Sequence, residues 1–203
     1  MSTMSNAHAF SVHCATFAPC IGWRGILSFV AVLCALLAPL SAAELTKESD
    51  VKAALLYNFT QFAEWPPSAF EGADDPFVIG IMGRDPLGGV LDKLVEHEAV
   101  AGHRIVVTRY RNVEAARQAH VLYISASERA ELSHILPALA GHPVLTVADF
   151  DGFLDRGGMV VLQRGRNQKI RIRVNLAAAQ AASLTFSAKL LRVVEIVSPE
   201  EEP

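Results

Sequence analysis

Apolar positions recur along this chain at two periods, close to 3.6 in some stretches and continuous or alternating in others. Together these patterns mark out its elements. Val51, Leu55, Phe59 and Phe62 fall at spacings of four, four and three, with Leu56 and Ala63 widening the stripe. This predicts an amphipathic helix capped by Thr46, with Glu48 in its first turn, and ended by Pro66-Pro67, since proline cannot donate a helix hydrogen bond. The short apolar run Phe77–Met82 reads as a buried strand. In Gly83-Arg84-Asp85-Pro86, Asp85 can cap a helix with Pro86 at its first position and Leu87, Leu91, Leu94 and Val95 on one side. Strands follow at 104–109, 121–125 and 144–147, with a helix at 128–139 that Ser127 would cap. Two further strands, 159–163 and 169–174, flank Arg164-Gly165-Arg166-Asn167-Gln168, a hairpin turn. Asn175 then caps a last helix carrying Leu184, Ala188, Leu191 and Val194 on one face. Strands alternating with helices imply an α/β fold. We expect a single three-layer domain: a mainly parallel mixed sheet with helices on both faces and an antiparallel hairpin near the C-terminus.

The N-terminal segment departs from both periods. No ionisable side chain occurs between Gly25 and Ala43, the stretch 26–37 is almost wholly apolar, and Arg24 precedes it. Ser41 and Ala43 place small residues three and one positions before Glu44. A basic flank, a short apolar core and a small-x-small end make a secretory signal peptide. A bilayer-spanning helix needs roughly 20 apolar residues, and this core is shorter and broken by Pro39. Residues 1–43 are therefore expected to be a cleaved signal and 44–203 the mature domain. The long leader leaves room for translation to start at Met4 or later.

Removal of the signal changes the chemistry. Cys14, Cys20 and Cys34 all lie within it, so the mature chain holds no thiol and no disulfide. Of 18 basic residues only Arg24 is lost, leaving 17 against 21 acidic ones, a net charge of −4. Such a domain has no general electrostatic reason to bind nucleic acid. His97, His103, His120, His134 and His142 show no paired ligand spacing, so no metal is assigned. There is no Gly-x-Ser-x-Gly elbow. Ser125 and Ser127 follow a strand and are read as caps. The loop from Gly83 to Gly89 lacks the Lys-Ser/Thr of a phosphate loop, so turn and cap is preferred to anion site, although Arg84 could assist an anion there. Asp149-Phe150-Asp151-Gly152 fails the calcium-loop pattern, because its sixth and twelfth positions are Leu154 and Val160, and reads as a polar turn. Trp65 reads as a core plug. No catalytic residue and no cofactor is assigned.

The densest charge lies at 164–173, where five basic residues fall within ten positions. Lys169, Arg171 and Arg173 alternate with Ile170, Ile172 and Val174, and a strand's period of two sets them on one face. This face suits either solvent, keeping an edge strand from aggregating, or an acidic partner or anion, with Asn175 and the last helix start nearby. The candidate binding residues are Lys169, Arg171, Arg173, Asn175 and Arg84.

Leu56-Tyr57-Asn58-Phe59-Thr60-Gln61-Phe62-Ala63-Glu64-Trp65-Pro66 resembles the opening signature of the YfiR-like proteins. In the same order come Gly80-Ile81-Met82-Gly83-Arg84-Asp85-Pro86, Val121-Leu122-Tyr123-Ile124-Ser125, Leu145-Thr146-Val147-Ala148-Asp149, Gly157-Gly158-Met159-Val160, Ile172-Arg173-Val174-Asn175-Leu176 and Ser187-Ala188-Lys189-Leu190-Leu191-Arg192. No one motif is specific, but their order spans the whole mature domain. The resemblance implies a periplasmic α/β protein without catalytic activity. It further implies an inhibitory partner of a membrane diguanylate cyclase, which an outer-membrane lipoprotein can draw away. Better-known members carry disulfides, and with no mature cysteine redox control through a disulfide is closed to this chain. The leading expectation is thus a non-enzymatic regulator of an inner-membrane signalling protein, a diguanylate cyclase or sensor kinase, with room for a homodimer. The alternative is a small-ligand module holding an anion near Arg171 and Asn175. An enzyme of unrecognised type ranks last.

Overall fold

The computed structural model describes residues 39–70, 72, 74–165 and 169–197, with side chains described from residue 48 onward. The chain divides into two compact units, Met1–Ala43 and Glu44–Pro203, and the sheet with all its strands belongs to the second. The expected signal lies outside the described residues except for the backbone of 39–43, and so do the hairpin residues 166–168.

In chain order the elements are α1 (Pro39–Phe62), β1 (Ala63–Glu64), a 3-10 turn (Pro67–Ala69), β2 (Phe77–Met82), α2 (Gly89–Val95), β3 (Ala99–Val100) and β4 (His103–Tyr110). Then come α3 (Val113–Ala116), β5 (Val121–Ile124), a 3-10 segment (Ala126–Glu131), α4 (Leu132–Leu139), β6 (Leu145–Ala148), β7 (Val160–Arg164) and β8 (Ile170–Val174). The chain finishes with α5 (Leu176–Ala181), β9 (Thr185–Phe186), α6 (Ala188–Leu191) and β10 (Glu195–Ile196). Eight strands form one sheet in the order β10-β8-β7-β6-β5-β2-β4-β3. From β4 to β7 every pairing is parallel, β7 and β8 form the expected antiparallel hairpin, and β1 pairs with β9 apart from the main sheet.

Both faces of the central strands are apolar because both are covered. On one face Phe77, Ile79, Ile81, Val121, Tyr123, Leu145 and Val147 meet Ala53, Leu56 and Phe59 of α1, Leu91 of α2 and Leu190 of α6. On the other, Met82, Leu122, Ile124 and Ala148 meet Val113 of α3 and Leu132, Ile135 and Leu139 of α4. Three layers result, as the sequence predicts.

Several local expectations are corrected. Thr46 lies inside α1 (Pro39–Phe62) and not at a helix start. The buried stripe of α1 is Ala53, Leu56, Phe59 and Thr60, continued by Ala63 of β1, while Val51 is 41% exposed. Val51, two residues and so about 200° around the helix from buried Ala53, turns outward. Helix α2 starts at Gly89, because the Asp85 carboxylate accepts from the Leu87 and Gly88 N–H groups and Gly88 takes a left-handed φ of 54°. Leu94 is consequently exposed. Ser125 caps the 3-10 segment in place of Ser127. The expected last helix is broken: Ser183 turns the chain at φ 60°, Thr185-Phe186 pairs with Ala63-Glu64, and Ser187 caps a new helix, α6. Trp65 is half-buried, edge-on to Phe77 at 4.8 Å, and its Nε1–H donates to the His120 carbonyl at 3.1 Å.

Candidate functional site

The parallel strands follow the order β4-β2-β5-β6-β7, so the direction of winding reverses between β2 and β5. In open parallel sheets, ligands bind outside the carboxyl ends of the strands at such a reversal. Here that crevice is filled. The Arg84 N–H donates to Ser127 Oγ at 2.9 Å, and the Ser127 hydroxyl donates to the Glu128 carboxylate at 3.0 Å. Gly83, at φ 86°, passes so close that a Cβ there would collide with Ser127 Oγ and Glu128. Arg109, at the end of β4, locks the same loop. Its Nε and one Nη donate to Asp85 Oδ2 at 3.1 and 2.9 Å, its two Nη groups donate to Asp92 at 2.6 and 2.5 Å, and one also reaches the Gly88 carbonyl at 3.1 Å. The hydrogen bond from Arg109 holds the Asp92 carboxyl below its ordinary pKa. The same bond to Asp92, with help from Asp85 and against partial burial, raises that of Arg109.

Beside this lock lies a second charged cluster. Lys52 Nζ sits 2.6 Å from both Glu48 Oε1 and Asp149 Oδ2, and Arg164 approaches Glu48 at 3.4 Å. The Lys52 and Asp149 side chains are only 11% and 14% exposed. Burial pulls the Lys52 pKa down, but Asp149 and Glu48 outweigh it and leave it raised. Beneath them Tyr123 is fully buried, its hydroxyl beside Asp149 without a hydrogen bond of full geometry. Burial, then the Asp149 carboxylate, pushes this phenol well above the ordinary range. The pair Glu48 and Lys52 has i,i+4 helix spacing and was legible in the sequence. Asp149 was read as turn, since nothing in its neighbours signals a distant lysine.

Over the ends of β6 and β7 opens a cleft of about 1270 Å³, lined among others by Lys52, Arg129, Asp149, Asp151, Gln163 and Arg171. Gln163 donates to Asp151 at 2.8 Å. The Arg129 guanidinium lies over the Phe150 ring, 4.8 Å from its centroid.

The structure separates the predicted binding residues. Lys169 and Arg171 are exposed on β8 and at its start, and Arg171 reaches the cleft. Arg173 shares their face but is half-buried, 3.7 Å from the Glu195 carboxylate. Asn175 is buried, and its side-chain oxygen accepts from the Ala178 N–H at 3.0 Å, so it is spent as the cap of α5. Arg84 is exposed on the far side of the filled crevice and lines no part of the cleft. Both serines after β5 accept backbone N–H groups.

The amino end of the sheet holds an arrangement that sequence reasoning missed. Phe70 stacks on His103 at 4.0 Å and on His120 at 4.5 Å, and His120 stacks on Phe77 at 4.6 Å. His120 is buried, its Nδ1 accepting from the Val78 N–H at 3.0 Å and its Nε2 lying 3.1 Å from the Ala69 carbonyl. An Nδ1 that accepts fixes the neutral tautomer with Nε2–H donating to Ala69. Burial holds the His120 pKa below its ordinary value. Among the described residues, no three His, Cys, Asp or Glu side chains gather as a metal site.

The sequence profile of YfiR/HmsC-like proteins matches residues 49–195, from within α1 to the first residue of β10. The chain belongs to the YfiR/HmsC-like family. This membership agrees with the resemblance read from the motifs. No curated protein matches the chain. As in the motif reading, the matched region takes in β2 to β8, the Arg109 lock, the Lys52–Asp149 pair and the ring stack, with Glu48 one residue before it. Among the described residues, no helix of this family member is long and apolar enough to cross a membrane.

Proposed function

We propose that this chain is exported by a signal at residues 1–43 and that domain 44–203 acts in the periplasm as a non-enzymatic regulator. It binds and restrains the outward-facing part of a membrane signalling protein, a diguanylate cyclase or a sensor kinase. The observation that carries this reading is the family match across residues 49–195. Lys169 and Arg171, exposed on one strand face, offer a contact surface for an acidic patch of the target. An outer-membrane lipoprotein would relieve the restraint by competing for the regulator. The regulator acts by stabilising one conformation of its target, so its effect cannot exceed its preference for that state over the other.

Lys169→Glu together with Arg171→Glu is expected to weaken binding to the target's sensor portion at least tenfold, measured by calorimetry, with the unfolding midpoint unchanged. Unaltered affinity in the folded double variant removes this face from the interface. A reporter fused after residue 203 that is active only in the cytosol would remove the regulatory reading itself.

A further inference from the structure

We propose that the carboxyl-edge cleft is a binding site for a small, singly charged carboxylate, held between Arg129 and Arg171. The inference stands independently of the regulatory reading. It begins with the filled crevice at the β2–β5 reversal, where Ser127, Glu128 and the Arg109 lock leave no room. A concavity on that edge lies two strands away, at the ends of β6 and β7. Carboxyl-edge concavities with a few convergent polar groups are where this type of sheet takes ligands.

The charges inside the cleft select the ligand. Its lining carries the cations Lys52, Arg129, Arg164 and Arg171 and the carboxylates Glu48, Asp149 and Asp151. Lys52 is consumed by Glu48 and Asp149, Arg164 sits against Glu48, and Asp151 accepts from Gln163. Arg129 and Arg171 have no carboxylate partner among the described residues. The Arg129 guanidinium carbon lies 4.8 Å from the Phe150 ring centroid, a contact that restrains the side chain, and a guanidinium's N–H fork suits a planar, two-oxygen acceptor. Among the described lining residues there is one cation in excess over the carboxylates, which suits a monoanion, and Asp149 and Asp151 penalise a dianion.

Titrating the purified protein with sodium benzoate, followed by calorimetry and by amide shifts, tests this. Benzamide supplies the same shape without charge, and inorganic phosphate a more highly charged oxyanion. The proposal expects saturable benzoate binding at least tenfold tighter than either, with the largest shifts at Asp151 and Gly165. Arg129→Gln and Arg171→Gln should each weaken it at least tenfold, while Arg104→Gln, on β4, leaves it unchanged. Absence of saturation, equal binding of benzamide or phosphate, shifts centred elsewhere, or full affinity in both folded cleft variants would overturn it. Because no partner protein takes part, a failed partner assay leaves this result intact, and the reverse holds too.

Discussion

At the carboxyl end of the sheet the connections are tied by charge, with Lys52 between Glu48 and Asp149 and Arg109 between Asp85 and Asp92. At the amino end they are tied by rings, with Phe70 against both His103 and His120 and Trp65 against Phe77. Either scheme satisfies the backbone it covers, but the two respond to different conditions. The half-exposed Arg109 ties are screened by salt and the buried Lys52–Asp149 pair much less, and Arg129 and Arg171 nearby have donors that can meet a ligand or partner. A neutral imidazole wedged among rings is indifferent to salt and sensitive to acid. On the binding proposals made above, the carboxyl end is the end that binds and the amino end the one that holds the fold together.

The largest way to break the charged end is Asp149→Ala. It leaves Lys52 largely buried with one carboxylate in place of two and should cost about 2 kcal/mol, because the cation's desolvation is then only partly offset. Urea unfolding measures it, and pairing Asp149→Leu with Lys52→Met should recover most of the loss.

The amino end is sharpened by His120→Phe, which keeps the stacking surface but removes the acceptor for the Val78 N–H. A loss of about 1.5 kcal/mol is expected near neutral pH. The wild type carries a further signature. The unfolded imidazole takes up a proton near pH 6.5, and the folded one resists it to lower pH. Below that value the unfolded state binds more protons, so stability is complete above about pH 6.5 and declines as the pH falls toward the folded pKa. Denaturation midpoints between pH 7.5 and 5 should show this decline in the wild type and a shallower one in His120→Phe.

Arg109→Lys replaces a fork that reaches two carboxylates by a point charge. On a side chain 40% exposed it should cost less than about 1 kcal/mol, and the difference should shrink in 1 M salt. The smallest effect belongs to Tyr123→Phe, expected within about 0.5 kcal/mol of wild type, since the buried hydroxyl makes no full hydrogen bond.

Layers, parallel strands and the β7–β8 hairpin were legible because buried strands announce themselves as apolar runs of the right length. Boundaries set by a single dihedral were not. Gly88 delays α2 and Ser183 splits the last helix, and no periodicity anticipates either left-handed residue. Among site residues, the exposed alternation of Lys169 and Arg171 could be read directly from the pattern. Arg129 could not, for it joins Arg171 only through the meeting of segments after β5 and on β8. His120 was likewise opaque, since its partners Val78, Ala69 and Phe70 lie over 40 residues away in sequence.

A photo-crosslinking residue placed at position 171 in intact cells, with position 104 as control, probes the regulatory reading most directly. The reading predicts an adduct formed from 171 alone, with a protein that spans the inner membrane and carries a cyclase or kinase domain on its cytoplasmic side. Equal adducts from both positions, or none from 171 in exported and folded protein, would contradict it.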